Sequence, residues 1–126
     1  MAEYRRYATA LALSIHGLIH LLGIVVYFEL AAVADLPYKT TLLGGVVDVG
    51  DTGIRVFGAL NGVAAVGFVA SAVALVAGWR YWRALLVAVT LFSLLLTTLD
   101  WTVASTGILA NLAILAALFV HARFRT

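Results

Sequence analysis

Four long apolar runs leave this chain few ways to fold. They cover residues 7–34, 54–77, 80–99 and 102–122. A helix needs about 20 residues to cross roughly 30 Å of hydrocarbon. The first two runs exceed that length. The last two are near it, and flanking tryptophans extend them. With no water to satisfy peptide groups, a spanning segment must bond within itself, and helices do this. Only 11% of residues are charged and 64% are hydrophobic, with a mean hydropathy of +1.09. A water-soluble domain carries about a quarter charged residues. The predicted fold class is therefore all-α: a four-helix transmembrane bundle. Residues 1–126 form a single integral membrane domain, and the expected location is the plasma membrane.

Arginine sets the expected orientation. Arg5 and Arg6 precede the first run, Arg80 and Arg83 sit in the "GWRYWR" turn, and Arg123 and Arg125 follow the last run. Four crossings put all six on one side, with Lys39 and Arg55 on the other. The positive-inside rule then makes both termini cytoplasmic. Arg5 and Arg6 followed by Ala32-Val33-Ala34 also resemble a signal peptide with its cleavage site. The apolar run is far longer than the usual 7–15 residues, so it is read as a retained helix. The excess of basic residues is explained by topology. No basic stripe accompanies it, so nucleic acid is not an expected partner.

The only long connection is the outer loop, residues 35–53. Strand-like stretches at 38–43 and 46–49 flank Gly44-Gly45, which predicts a short extracellular β-hairpin. Asp51 or Thr52 is expected to cap the next helix. Asp51 and Arg55, four apart, are expected to pair.

Polar side chains inside membrane helices face the interior and often mark function. In "SIHGLIHLLG" His16 and His20 share one face. Gly58 and Gly62 flank Asn61. Thr90, Ser93, Thr97 and Asp100 line one side of the third helix, and Gly107 and Asn111 one side of the fourth. At about 1.5 Å per residue, His16 lies roughly 13 Å and His20 roughly 20 Å from the inner interface. Asn61 and Asn111 fall at overlapping depths, with Asp100 about 15 Å further out than the histidines. The candidate ligand-binding or proton-handling residues are His16, His20, Asn61, Asn111, Ser93, Thr97 and Asp100.

The chain has no cysteine. Two imidazoles one turn apart are short of a zinc shell, and two on one helix cannot sandwich a haem iron. No metal or cofactor is predicted. His16 and His20 are the residues that would contribute to a metal site in a symmetric dimer. No nucleophile elbow, P-loop or paired carboxylates mark an enzyme, and no catalytic residue is assigned.

The segments "HGLIHLLG", "YKTTLLGGVVDVGDTGIRVFGAL" and "LDWTVASTGILANLAIL" together resemble small four-helix prokaryotic membrane proteins, loosely DoxX-like. The alanine- and valine-rich style resembles archaeal, in particular haloarchaeal, proteins. The resemblance implies the same four-helix architecture and singles out His16, His20, Asp100, Gly107 and Asn111. Asn61 departs from it, since an aromatic residue is usual at that place. The resulting expectation is a non-enzymatic membrane protein whose polar seam binds a lipid, a quinone-like ligand or a partner subunit. The alternative is a proton- or metal-coupled carrier acting through His16 and His20. Expected partners are membrane lipid and either a second copy or a larger membrane complex.

Overall fold

The computed structural model describes residues 2–124. Arg125, counted above toward the inner side, lies outside the described residues. The elements are α1 (Glu3–Ile19), α2 (Leu21–Tyr27), β1 (Thr41–Leu42), β2 (Val47–Asp48), α3 (Gly50–Ala77), α4 (Trp82–Leu99) and α5 (Trp101–Arg123). Four helical spans, Glu3–Tyr27, Gly50–Ala77, Trp82–Leu99 and Trp101–Arg123, are each long and apolar enough to cross a membrane.

The first span is not one regular helix. At His20 the backbone tightens: its N–H bonds to Gly17 O at 3.0 Å, and Gly23 N–H bonds to His20 O at 3.0 Å. These i→i−3 bonds form a 3₁₀-like step between α1 and α2. The expected continuation to residue 34 does not occur. Glu29 takes a left-handed conformation, φ 56°. Leu30 N–H bonds back to Val25 O at 2.8 Å and Glu29 N–H to Val26 O at 3.0 Å. This is a Schellman closure with glutamate in the position glycine usually holds. A polar residue therefore ends the helix inside an otherwise apolar run.

The hairpin is present but shorter than expected, pairing Thr41 with Asp48 and Leu42 with Val47. The loop inside the innermost pair runs over residues 43–46, wider than a Gly44-Gly45 turn, and Leu43, Gly44 and Gly45 all take positive φ, 54°, 66° and 92°. Leu43 N–H bonds to Leu99 O at 2.8 Å, docking the hairpin on the end of α4. The expected capping differs. The α3 helix starts at Gly50, so Asp51 and Thr52 are already inside it. Asp48 accepts the Gly50 N–H at 2.9 Å instead. That bond holds the Asp48 carboxyl below its ordinary pKa. The expected Asp51–Arg55 ion pair is absent among the described residues. Asp51 instead accepts the Tyr38 hydroxyl at 2.5 Å.

The helices pack in chain order. The α1 and α2 helices lie on α3, α3 on α4, and α4 on α5, while α5 has no extensive packing against α1 or α2. Small residues make the first contact close. A Cβ on Gly17 would lie 2.7 Å from Phe68 Cβ, and one on Gly58 3.0 Å from the Gly23 carbonyl. The Gly58–Gly62 motif thus serves a contact within the bundle. The α4–α5 hairpin is antiparallel and in register, with Thr97 beside Gly107, Ser93 beside Asn111 and Arg83 beside His121.

Two apolar clusters fill the interior. One contains Val26, Tyr27, Leu42, Ile54, Phe57, Ala64 and Leu96. The other contains Ala10, Leu13, Phe68, Ala72, Leu75 and Leu86. The outward faces carry exposed apolar side chains such as Leu11, Val66, Leu91, Leu109 and Phe119.

Candidate functional site

Where the two apolar clusters meet, four helices contribute a layer of buried polar side chains. His20, Asn61, Ser93, Thr97 and Asn111 are all buried, Ser93 and Asn111 completely. Phe68 forms the floor under the histidines. The His20 ring stacks on it at 5.9 Å and the His16 ring meets it edge-on at 4.7 Å.

The hydrogen bonds of this layer have one consistent direction, set by a backbone carbonyl. Phe57 O can only accept, so the Asn61 atom facing it at 3.0 Å is the amide nitrogen. Asn61 Oδ1 therefore faces His20 Nδ1, 2.9 Å away, and Nδ1 must carry the hydrogen. In an uncharged ring Nε2 is then an acceptor, and Ser93 Oγ–H donates to it at 2.7 Å. Ser93 Oγ, having used its hydrogen, accepts from Asn111 Nδ2 at 2.9 Å. Asn111 Nδ2 also donates to Thr97 Oγ1 at 3.3 Å, while that hydroxyl donates to Ser93 O at 2.9 Å. Asn111 Oδ1 is left facing His16 Nε2 at 2.9 Å, so His16 carries its hydrogen on Nε2. The two histidines thus hold opposite tautomers. Among the described residues, no buried side-chain nitrogen or oxygen lacks a partner.

The sequence-predicted residues His16, His20, Asn61, Ser93, Thr97 and Asn111 are therefore brought together. Thr90 shares their helix face but stays out of the layer, because its hydroxyl bonds to Leu86 O on its own helix. Asp100 lies apart. It joins α4 to α5 and accepts the Tyr27 hydroxyl at 2.5 Å. Its other oxygen takes Lys39 Nζ at 2.5 Å, the only ion pair among the described residues. Lys39 also donates to Thr41 O at 3.0 Å and to Tyr27 Oη at 3.3 Å. This cluster ties the loop between α2 and α3 to the helix ends. Sequence reasoning counted Lys39 only as an outer charge. The available signal was that the chain's only lysine lies in a loop facing a helix-terminal aspartate. His121, at the opposite end, pairs with Arg83.

Beside the polar layer is a cavity of about 330 Å³. Its walls come from α1 and α2 (His16, Ile19, Leu22, Val26) and from α5 (Val103, Thr106, Gly107, Ala110). Asn61 and Thr97 lie at its back, and Leu36, Tyr27 and Asp100 at the loop end. The cavity occupies the gap where α5 fails to pack on α1 and α2. Its size falls within the roughly 300–1,000 Å³ of small-molecule sites, and its apolar walls with a few polar groups match their usual chemistry. No three histidine, aspartate or glutamate side chains converge among the described residues to form a metal site. No family model matches the chain, and neither a curated protein nor a solved structure shows significant similarity to it.

Proposed function

We propose that this chain is a non-enzymatic, multi-pass plasma-membrane protein with cytoplasmic termini that binds an apolar molecule bearing a small polar group. The bundle resemblance to DoxX-like proteins is part of that proposal. The observation that carries it is the 330 Å³ cavity between α1–α2 and α5. In a bilayer a gap between two unpaired helices faces acyl chains, so a ligand enters sideways without crossing water. The apolar walls hold its body, and the neutral polar layer meets its head. A lipid or a quinone-like molecule has this form.

The carrier alternative draws on the same histidines but has weaker support. Two links of the hydrogen-bonded line are the amides of Asn61 and Asn111, which do not readily pass a proton on. The line also ends on a backbone carbonyl. Proton flux into liposomes that depends on both histidines between about pH 5 and 8 would favour the carrier.

The test is native mass spectrometry of protein taken from its own membrane. An amphiphile should co-purify with the wild type and be lost from Ala110→Phe, whose ring fills the cavity from α5. Identical bound species in both proteins would overturn the reading.

A further inference from the structure

The direction of the hydrogen-bonded line reaches into the cavity and restricts what can sit there. His16 donates from Nε2 to Asn111. In the uncharged ring its Nδ1 therefore carries a lone pair. That atom has no hydrogen-bond partner among the described residues, and it is not among the sealed-off polar atoms, of which there are none. His16 is half-buried and lines the cavity wall.

Of the other polar side chains at the cavity, all are engaged except the Thr106 hydroxyl, which lies exposed on α5, away from the buried layer. His20 uses both ring nitrogens, on Asn61 and Ser93. Asn61 uses its amide nitrogen on Phe57 and its oxygen on His20. The Thr97 hydroxyl donates to its own helix. Tyr27 and Lys39 hold the two oxygens of Asp100. The group that the polar layer itself leaves open toward the cavity is thus an acceptor, His16 Nδ1.

From this we infer that the site prefers a ligand that donates a hydrogen bond, an apolar phenol or alcohol, over one that can only accept, such as a quinone, ester or ether. The inference rests on the cavity-binding reading above and narrows it: of the forms named there, a lipid alcohol or a reduced, phenolic quinol is favoured over the quinone itself. A tautomer change at His16 cannot adapt the site to acceptors. It would need Asn111 to flip, then Ser93 and His20 to reverse, and finally Asn61 to point its oxygen at Phe57 O. Two acceptors facing each other in a buried site is a costly arrangement.

A matched pair of probes tests this: a para-alkylphenol and its methyl ether, of equal chain length, titrated against the wild type in nanodiscs. The phenol should bind several-fold more tightly, up to about tenfold, as one net hydrogen bond allows. The preference should vanish in His16→Phe. A second readout needs no variant: the His16 Nδ1 nitrogen resonance should shift with the phenol and not with the ether. Ala110→Phe should lose both probes. Equal binding of the two probes, both lost in Ala110→Phe, would overturn the donor preference and leave the cavity reading standing. Failure of both to bind the wild type would overturn the two together.

Discussion

His16 and Asn111 meet across the one open side of the bundle. Their 2.9 Å contact is the only side-chain hydrogen bond between α1–α2 and α5 among the described residues. Asn111 is the only fully buried residue of α5. The last helix is therefore packed along α4 on one flank, while a single side-chain hydrogen bond joins it to α1–α2 on the other.

Replacing Asn111 with alanine should loosen α5 more than its volume suggests. It removes the bond to His16, the bond to Ser93 and the longer one to Thr97. Interhelical hydrogen bonds in membranes average about 0.6 kcal/mol and reach about 1.7. The expected loss is about 1–2 kcal/mol, read from reversible unfolding in mixed micelles. A change within error of zero would show that the amide does not hold α5.

Two hydroxyls on α4 should behave differently although both are fully buried. Ser93 links three helices, so Ser93→Ala should cost about 1 kcal/mol. Thr90 satisfies only its own helix, through Leu86 O. The isosteric Thr90→Val should stay within about 0.5 kcal/mol of the wild type. The same unfolding assay compares them directly, and equal effects would contradict the assignment.

The α1–α3 contact depends on the missing Cβ of Gly17. Alanine there would approach Phe68 Cβ to 2.7 Å and Ala65 O to 3.0 Å. Gly17→Ala should cost about 1–3 kcal/mol, the range for overpacking. Leu109→Ala, on the outward face of α5, serves as the silent control.

The helices and their inward faces were legible in the sequence because both follow from one periodicity. His16, His20, Asn61, Ser93, Thr97 and Asn111 recur at helical spacing within apolar runs, and each such helix has one polar face to turn inward. The loop was not legible in the same way. The helix stop at Glu29 depends on a left-handed glutamate, and composition favours continuation to residue 34. The Asp48 cap and the Lys39–Asp100 tie depend on tertiary placement of a short irregular segment, which no period encodes. The cavity was legible only as a polar seam. Its walls are ordinary valines, alanines and a glycine, and it exists because α5 leans away from α1–α2.

The loop tie gives a further test. Lys39→Met leaves the Asp100 carboxylate nearly buried without its cation. Residues 36–42 should then exchange amide hydrogens faster, and stability should fall by up to about 3 kcal/mol. Adding Asp100→Leu should recover much of that stability, because removing both charges avoids the isolated one. No recovery in the double variant would contradict this account.

At high pH the Tyr38–Asp51 contact should fail next. The hydrogen bond to the Asp51 carboxylate pushes the Tyr38 hydroxyl up to about 12. A folded-state value above the unfolded one stabilises below the unfolded pKa, about 10 for tyrosine. That contribution is lost as pH rises through about 12. Ultraviolet titration of the wild type against Tyr38→Phe should assign the missing transition to the late end of tyrosine ionisation. A transition near pH 10 would place the hydroxyl in free solvent.

The most direct test of the central claim is a nitrogen NMR measurement of the two imidazoles, in protein labelled at histidine and held in nanodiscs at neutral pH. The directed line from Phe57 O requires His20 to be protonated at Nδ1 and His16 at Nε2. One ring should therefore show a pyrrole-type Nδ1 and the other a pyrrole-type Nε2. Matching tautomers, or a charged ring at either position, would contradict it.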